Sequence, residues 1–190
     1  MIERFFPDEE FKRVEDINIE FLMKENIKGL ILDIDNTISE WKMEPTEDVM
    51  AWLDMMKENG IKLCLASNNR RARADYMSSL LGINAVHNSL KPSRRAFIAA
   101  MRLMGTNPSE TAVVGDQVFT DIYGGNRLNL YTIFITPINV RDGWFVKFKR
   151  PLEKWVLKSF REKLFIRQER RKIWKMRSGR RKLKKCNFGM

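Results

Sequence analysis

Short apolar runs alternating with helix-length segments constrain this chain more than any other feature. Gly29 to Leu32, Ile61 to Ala66, Thr111 to Gly115 and Leu130 to Ile135 are four to six residues long and largely apolar. Runs of that kind suit strands buried on both faces of a parallel sheet. Asn84 to His87 is a fifth, shorter candidate. The spacing predicts helices between them. One opens at Thr46 as N-cap, with Glu47 and Asp48 in its first turn, and stops at Asn59-Gly60. A second covers Arg70 to Leu81 and ends at Gly82, and a third covers Ser93 to Gly105. Such alternation implies βαβ units, hence a three-layer α/β fold around a five-stranded parallel sheet. At 190 residues the chain is long enough for one sizeable core and not two.

In open α/β sheets, ligands bind beyond the carboxyl ends of the strands. The strand ends here carry a set of reactive side chains: Asp33 and Asp35, then Ser67, then Lys91, then Asp116 with Asp121. Taken alone, the Asp33–Asp35 pair also reads as a solvated strand-to-turn junction, with Asp and Asn serving as turn residues. Taken together, each type has a task in phosphoryl transfer. A carboxylate can attack phosphorus, and a second can protonate the leaving oxygen and then deprotonate water. A hydroxyl, an amide and a lysine can hold the phosphoryl oxygens. Four carboxylates beside a phosphate require a divalent cation, and hard oxygen donors favour Mg2+.

Asp33-Ile34-Asp35-Asn36-Thr37 resembles the DxDxT signature of haloacid dehalogenase superfamily phosphatases. Ser67 and Lys91 resemble their second and third motifs, and Gly115-Asp116-Gln117-Val118-Phe119-Thr120-Asp121 their GDxxxxD fourth. The resemblance implies a Rossmann-like fold and a catalytic pair, Asp33 as nucleophile and Asp35 as general acid/base. It implies Thr37, Ser67, Asn68 and Lys91 around the phosphate. It implies Mg2+ held by Asp33, Asp35 (through its carbonyl), Asp116 and Asp121. The intervals between Asp35 and Ser67 and between Ser67 and Lys91 leave no room for the cap domains of lidded members. An open site of that kind suits a large phosphorylated substrate: lipid, nucleic acid or protein. Ser67-Asn68-Asn69, Thr120-Asp121, Gly124-Gly125-Asn126-Arg127, Thr132 and Pro137 resemble the bacterial capless subgroup related to phosphatidylglycerophosphate phosphatases. That subgroup implies a phosphatidylglycerophosphate-type substrate. Asn68 and Asn126 read equally well as turn residues.

The net charge of +11 is unevenly spread. Residues 147–190 hold 18 Lys and Arg against three acids, whereas residues 1–146 hold 17 against 21. The chain therefore divides into a mildly acidic body, 1–146 with a lead-in over 1–27, and a basic extension, 147–190. Pro151 to about Lys175 is expected to be helical, with Leu152, Trp155, Val156, Phe160 and Leu164 on an apolar face. Three readings of the extension stand side by side: a helix docked on the body, a helix lying on an anionic membrane, or an RNA-binding arm. The last carries a second functional reading, an RNA- or ribosome-associated protein with secondary phosphatase activity.

Remaining features narrow the setting. No apolar run reaches the ~20 residues of a membrane span, and Met1 to Glu10 lacks a signal-peptide pattern. Cys64 and Cys186 are expected to be free thiols in a reducing cytoplasm, with the protein peripheral on the inner membrane face. One His and two Cys give no zinc spacing. His87 reads as a packing or surface residue, because Asp35 already fills the acid/base role.

Overall fold

The computed structural model describes residues 2–68, 71–87, 89–139 and 151–165. In chain order the elements are β1 (Glu9–Phe11), α1 (Ile19–Lys24), β2 (Gly29–Leu32), α2 (Glu47–Glu58), β3 (Lys62–Ala66), α3 (Arg71–Leu81), β4 (Ala85–Val86), α4 (Arg94–Met104), β5 (Thr111–Gly115), α5 (Tyr123–Asn126) and β6 (Tyr131–Ile135). A further helix, α6, spans residues 151–165. The strands form one parallel sheet in the order β1-β6-β5-β2-β3-β4. Strand β2 lies between β3 and β5, at the point where the order reverses and a crevice opens above the strand ends.

Side chains alternate across a strand, and β2 shows why its run is apolar throughout. Leu30 and Leu32 face a core built with Val49, Trp52, Leu53 and Met56 of α2 and Ala74, Met77 and Leu81 of α3. Ile31 faces the other way, into Cys64, Phe97, Ala100, Met101 and Val113. Helix α2 starts at Thr46 as the sequence predicts, its hydroxyl accepting the Val49 N–H. The left-handed backbone at Gly60, Gly82 and Gly105 follows the three predicted helix ends. The lead-in is fastened to α2 by the Trp52 indole, which donates to the Ile17 carbonyl at 2.8 Å.

The sheet has six strands, not the expected five. The additional one, β1, lies in the lead-in and pairs with β6 at the sheet edge. It is three residues long and two are glutamates, so neither alternation nor an apolar run marks it.

Helix α6 packs on the body. Val156 and Leu157 are buried against Val118, Ile122 and Phe134, and the Phe160 ring packs tilted against Phe6. Arg161 pairs with Glu10 and Lys163 with Glu3. Leu152, Trp155 and Phe165 stay exposed on the outer side. The predicted continuation toward Lys175, Asn69, Arg70, Asn88, Trp144, Trp174 and Cys186 lie outside the described residues. Cys64 is a free, buried thiol. No helix among the described residues is long and apolar enough to cross a membrane.

Candidate active site

Parallel strands bring Asp33 (after β2), Ser67 (after β3) and Asp116 (after β5) to one edge, all three buried. The Asp33 N–H donates to the Val114 carbonyl, which extends the β2–β5 ladder to the first acid. Lys91 arrives from the loop after β4, and its Nζ lies 2.5 Å from Asp33 Oδ1 and 2.7 Å from Asp121 Oδ1. Asp121 comes from a single π-type turn over Val118–Ile122, and such turns recur at functional sites. Its carboxylate rests directly over Gly115. A Cβ there would fall 2.4 Å from Asp121 Cγ, so the glycine of the fourth motif is a steric requirement.

Oxygen atoms of Asp33, Asp116 and Asp121 all lie within 4.8 Å of one another. Burial pushes Asp33 up to about 7, and the carboxylates of Asp121 and Asp35 add to that rise against the opposing pull of Lys91. Burial lowers Lys91, but Asp121 and Asp33 outweigh it and hold the ammonium above its ordinary range. Lys91 meets two of the three buried carboxylates, Asp33 and Asp121, and a phosphate would add more negative charge. An all-oxygen cradle of this size fits a hard divalent cation.

Asp35 and Thr37 lie on a tight turn. The Ile38 and Ser39 N–H groups both donate to the Ile34 carbonyl, and Asn36 takes a left-handed φ of 65°. Thr37 Oγ1 is buried with no hydrogen-bond partner among the described residues. Asp35 Oδ1 stands 3.4 Å from Arg73 Nη2. The same guanidinium donates to Ser39 Oγ at 3.0 Å and to the Met43 carbonyl, so it ties the turn to α3. Sequence reasoning missed Arg73. The available signal was a group of arginines, Arg70, Arg71 and Arg73, within two turns of Ser67.

Asn68, expected among the phosphate contacts, has its amide engaged elsewhere. Its Oδ1 accepts the Lys91 N–H (2.6 Å) and the Ser89 hydroxyl (2.8 Å), while Nδ2 donates to the Lys91 carbonyl (3.0 Å). Asn126 likewise binds the Arg4 and Phe6 carbonyls and anchors the lead-in. His87 pairs with Asp75 at 3.1 Å on the flank of α3. Glu153 of α6, also missed, accepts the Val118 N–H at 3.0 Å.

Residues 37–129 match the family described as "Hydrolase: haloacid dehalogenase-like hydrolase". The "Probable phosphatase YqeG" of Bacillus subtilis is 38% identical over 171 residues, covering 89% of this chain and 99% of that protein. The chain belongs to the haloacid dehalogenase-like hydrolase family. Within this family it is a phosphatase, with the parallel α/β fold expected of one. More distant relatives include a "Glyceraldehyde 3-phosphate phosphatase" of Methanopyrus kandleri, 29% identical over 49% of this chain and 44% of that protein. Another is "Phosphatidylglycerophosphate phosphatase 1, chloroplastic/mitochondrial" of Arabidopsis thaliana, 24% identical over 83% of this chain and 48% of that protein. The family match begins at Thr37 and stops at Asn129, so it leaves out β1, α1, β2, β6 and α6 as well as Asp33 and Asp35.

Proposed function

We propose that this phosphatase is a Mg2+-dependent phosphomonoester hydrolase working through an aspartyl-phosphate on Asp33. The carrying observation is the buried Asp33 carboxylate, set against Lys91 and within 4.8 Å of the oxygens of Asp116 and Asp121. Asp33, Asp116 and Asp121, with the Asp35 carbonyl, would hold the cation, which supplies positive charge to the phosphoryl oxygens. Asp33 attacks phosphorus, and the P–O bond to the leaving group breaks. Asp35 gives its proton to the departing oxygen. Water then attacks the phosphoryl group, its proton passing to Asp35, and inorganic phosphate leaves with Asp33 restored. Lys91, Ser67 and Thr37 hold the phosphoryl oxygens, and Asn68 acts one step back by fixing Lys91.

The substrate is phosphatidylglycerophosphate or another large phosphomonoester. Three observations support this: the absence of any cap among the described residues, the exposed apolar side chains on segments that carry the site (Trp41, Met43, Leu90, Ile138), and the similarity to the Arabidopsis enzyme. The basic extension attaches the protein to an anionic membrane at its cytoplasmic face. Leu152, Trp155 and Phe165 on the outer side of α6 suit the apolar interface, and 18 Lys and Arg over residues 147–190 suit anionic headgroups.

The test is phosphate release by purified protein. Phosphatidylglycerophosphate vesicles, nucleotides, sugar phosphates and phosphopeptides are compared, with and without Mg2+. Vesicle flotation is run beside RNA pull-down. Asp33→Asn abolishes release while the thermal transition stays intact. Release unchanged by that substitution removes Asp33 from its role, and RNA capture without flotation favours the RNA-associated reading.

A further inference from the structure

We propose that Glu153, carried by the basic extension, is a positioning residue for the carboxylate cluster. It grips the Val118 N–H and thereby fixes the segment that runs from Asp116 to Asp121. The inference rests on the cation reading above.

The Val118–Ile122 turn leads directly into α5. The first N–H groups of such a run have no acceptor within it. Two are satisfied from opposite sides. Gln117 N–H donates inward to Asp121 Oδ2 at 3.2 Å, and Val118 N–H donates outward to Glu153 Oε1 at 3.0 Å. Asp116 immediately precedes these two residues and Asp121 follows Val118 by three, so both bonds hold the segment that joins the two acids. Glu153 is 3% exposed. A carboxylate is costly to bury unless hydrogen bonds compensate it, and the amino end of a helical run is where a negative charge is favoured. Val156 and Leu157, one turn further along α6, pack on Val118 and Ile122 and hold the glutamate over its donor.

A positioning role matters at this site in particular. Mg2+ tolerates little departure from octahedral geometry, and a turn that sags outward would carry Asp116 and Asp121 with it. Glu153 is one of only three acids over residues 147–190 and lies outside the family match at 37–129. The extension therefore does more than supply charge: its first turn holds the backbone segment that carries Asp116 and Asp121.

The experiment titrates metal-free, full-length protein with Mn2+ by calorimetry and follows hydrogen exchange at the Val118 amide. Glu153→Ala is expected to weaken Mn2+ binding about tenfold, as changes behind metal ligands do, and to speed Val118 exchange. Glu153→Gln keeps an acceptor and stays within about twofold of wild type. Phe160→Ala loosens the same helix where it packs on Phe6, away from the turn, and lowers the Tm while leaving Mn2+ affinity near wild type. Folded Glu153→Ala binding Mn2+ like wild type overturns the proposal, as does an equal loss of affinity in Phe160→Ala. Should Glu153→Ala fail to fold, Glu153→Asp decides. It withdraws the carboxylate by one methylene, so unchanged affinity overturns the proposal and a tenfold loss supports it. Wild type that binds no Mn2+ overturns the cation reading itself.

Discussion

Lys91 Nζ lies 2.5 Å from Asp33 Oδ1, with the two side chains only 2% and 9% exposed. At that depth neither charge is matched by water. Removing one member of such a pair leaves the other uncompensated, which costs far more than the pair itself contributes. Lys91→Met keeps the volume and removes the charge, so Asp33 and Asp121 then lose the cation that both meet among the described residues. Metal-free protein should lose about 3 kcal/mol of stability, measured by thermal unfolding in chelator. Added Mg2+ should recover part of that loss, while turnover stays down by at least about 100-fold.

Metal affinity should depend on pH through Asp33. Its carboxyl has an ordinary value of 3.8 and is raised to about 7, burial being the largest cause. Between those values the folded, metal-free protein holds a proton that the unfolded chain has lost. Stability from this group therefore falls as pH rises from about 4 to 7 and levels off above. A divalent cation must displace that proton. Its affinity should climb up to about tenfold per pH unit below 7, then flatten. Calorimetry in buffers of contrasting ionisation enthalpy should count close to one proton released per cation at pH 6. A flat affinity between pH 5.5 and 8 would contradict the assignment.

Arg73 should matter most when the leaving group is poor. Its guanidinium stands 3.4 Å from Asp35 and also holds Ser39 and the Met43 carbonyl, so it fixes where Asp35 points. An alkoxide needs a proton to depart, whereas nitrophenolate does not. Arg73→Ala should lower kcat on an alkyl phosphate about tenfold or more and lower it much less on p-nitrophenyl phosphate. Arg73→Lys should recover little, because one ammonium cannot reproduce the forked contacts. Equal losses on both substrates would reduce Arg73 to a structural tie for the turn.

The parts of the site legible in the sequence are those fixed by strand ends. Asp33, Ser67 and Asp116 each follow an apolar run, and a parallel sheet places such residues at one edge. Gly115 was legible as part of a motif, although its reason, the Asp121 carboxylate resting on it, is visible only in space. Two residues escaped for one physical cause: contacts between segments far apart in the chain. Arg73 reaches Asp35 from a helix 38 residues later, and Glu153 reaches Val118 across 35. Strand β1 escaped because an edge strand of three residues, two of them glutamates, has too little buried surface to impose a pattern. Asn68 follows β3 directly after Ser67, but nothing in the sequence says that its amide turns toward Lys91.

That last residue gives a test of positioning against contact. Asn68 brackets Lys91, accepting its N–H at 2.6 Å and donating to its carbonyl at 3.0 Å. Asn68→Ala removes both bonds and the acceptor for Ser89, at a cost of about 2 kcal/mol. Lys91 then loses the backbone placement that aims its ammonium at Asp33. Since Lys91 is the chief influence holding Asp33 down against burial, its displacement should move the inflection in metal affinity above 7. Lys91→Met should move it the same way and further. A residue that only touched phosphate would leave that inflection unmoved and weaken inhibition by inorganic phosphate instead. Mn2+ titrations of Asn68→Ala across pH, made without any phosphate present, separate the two roles.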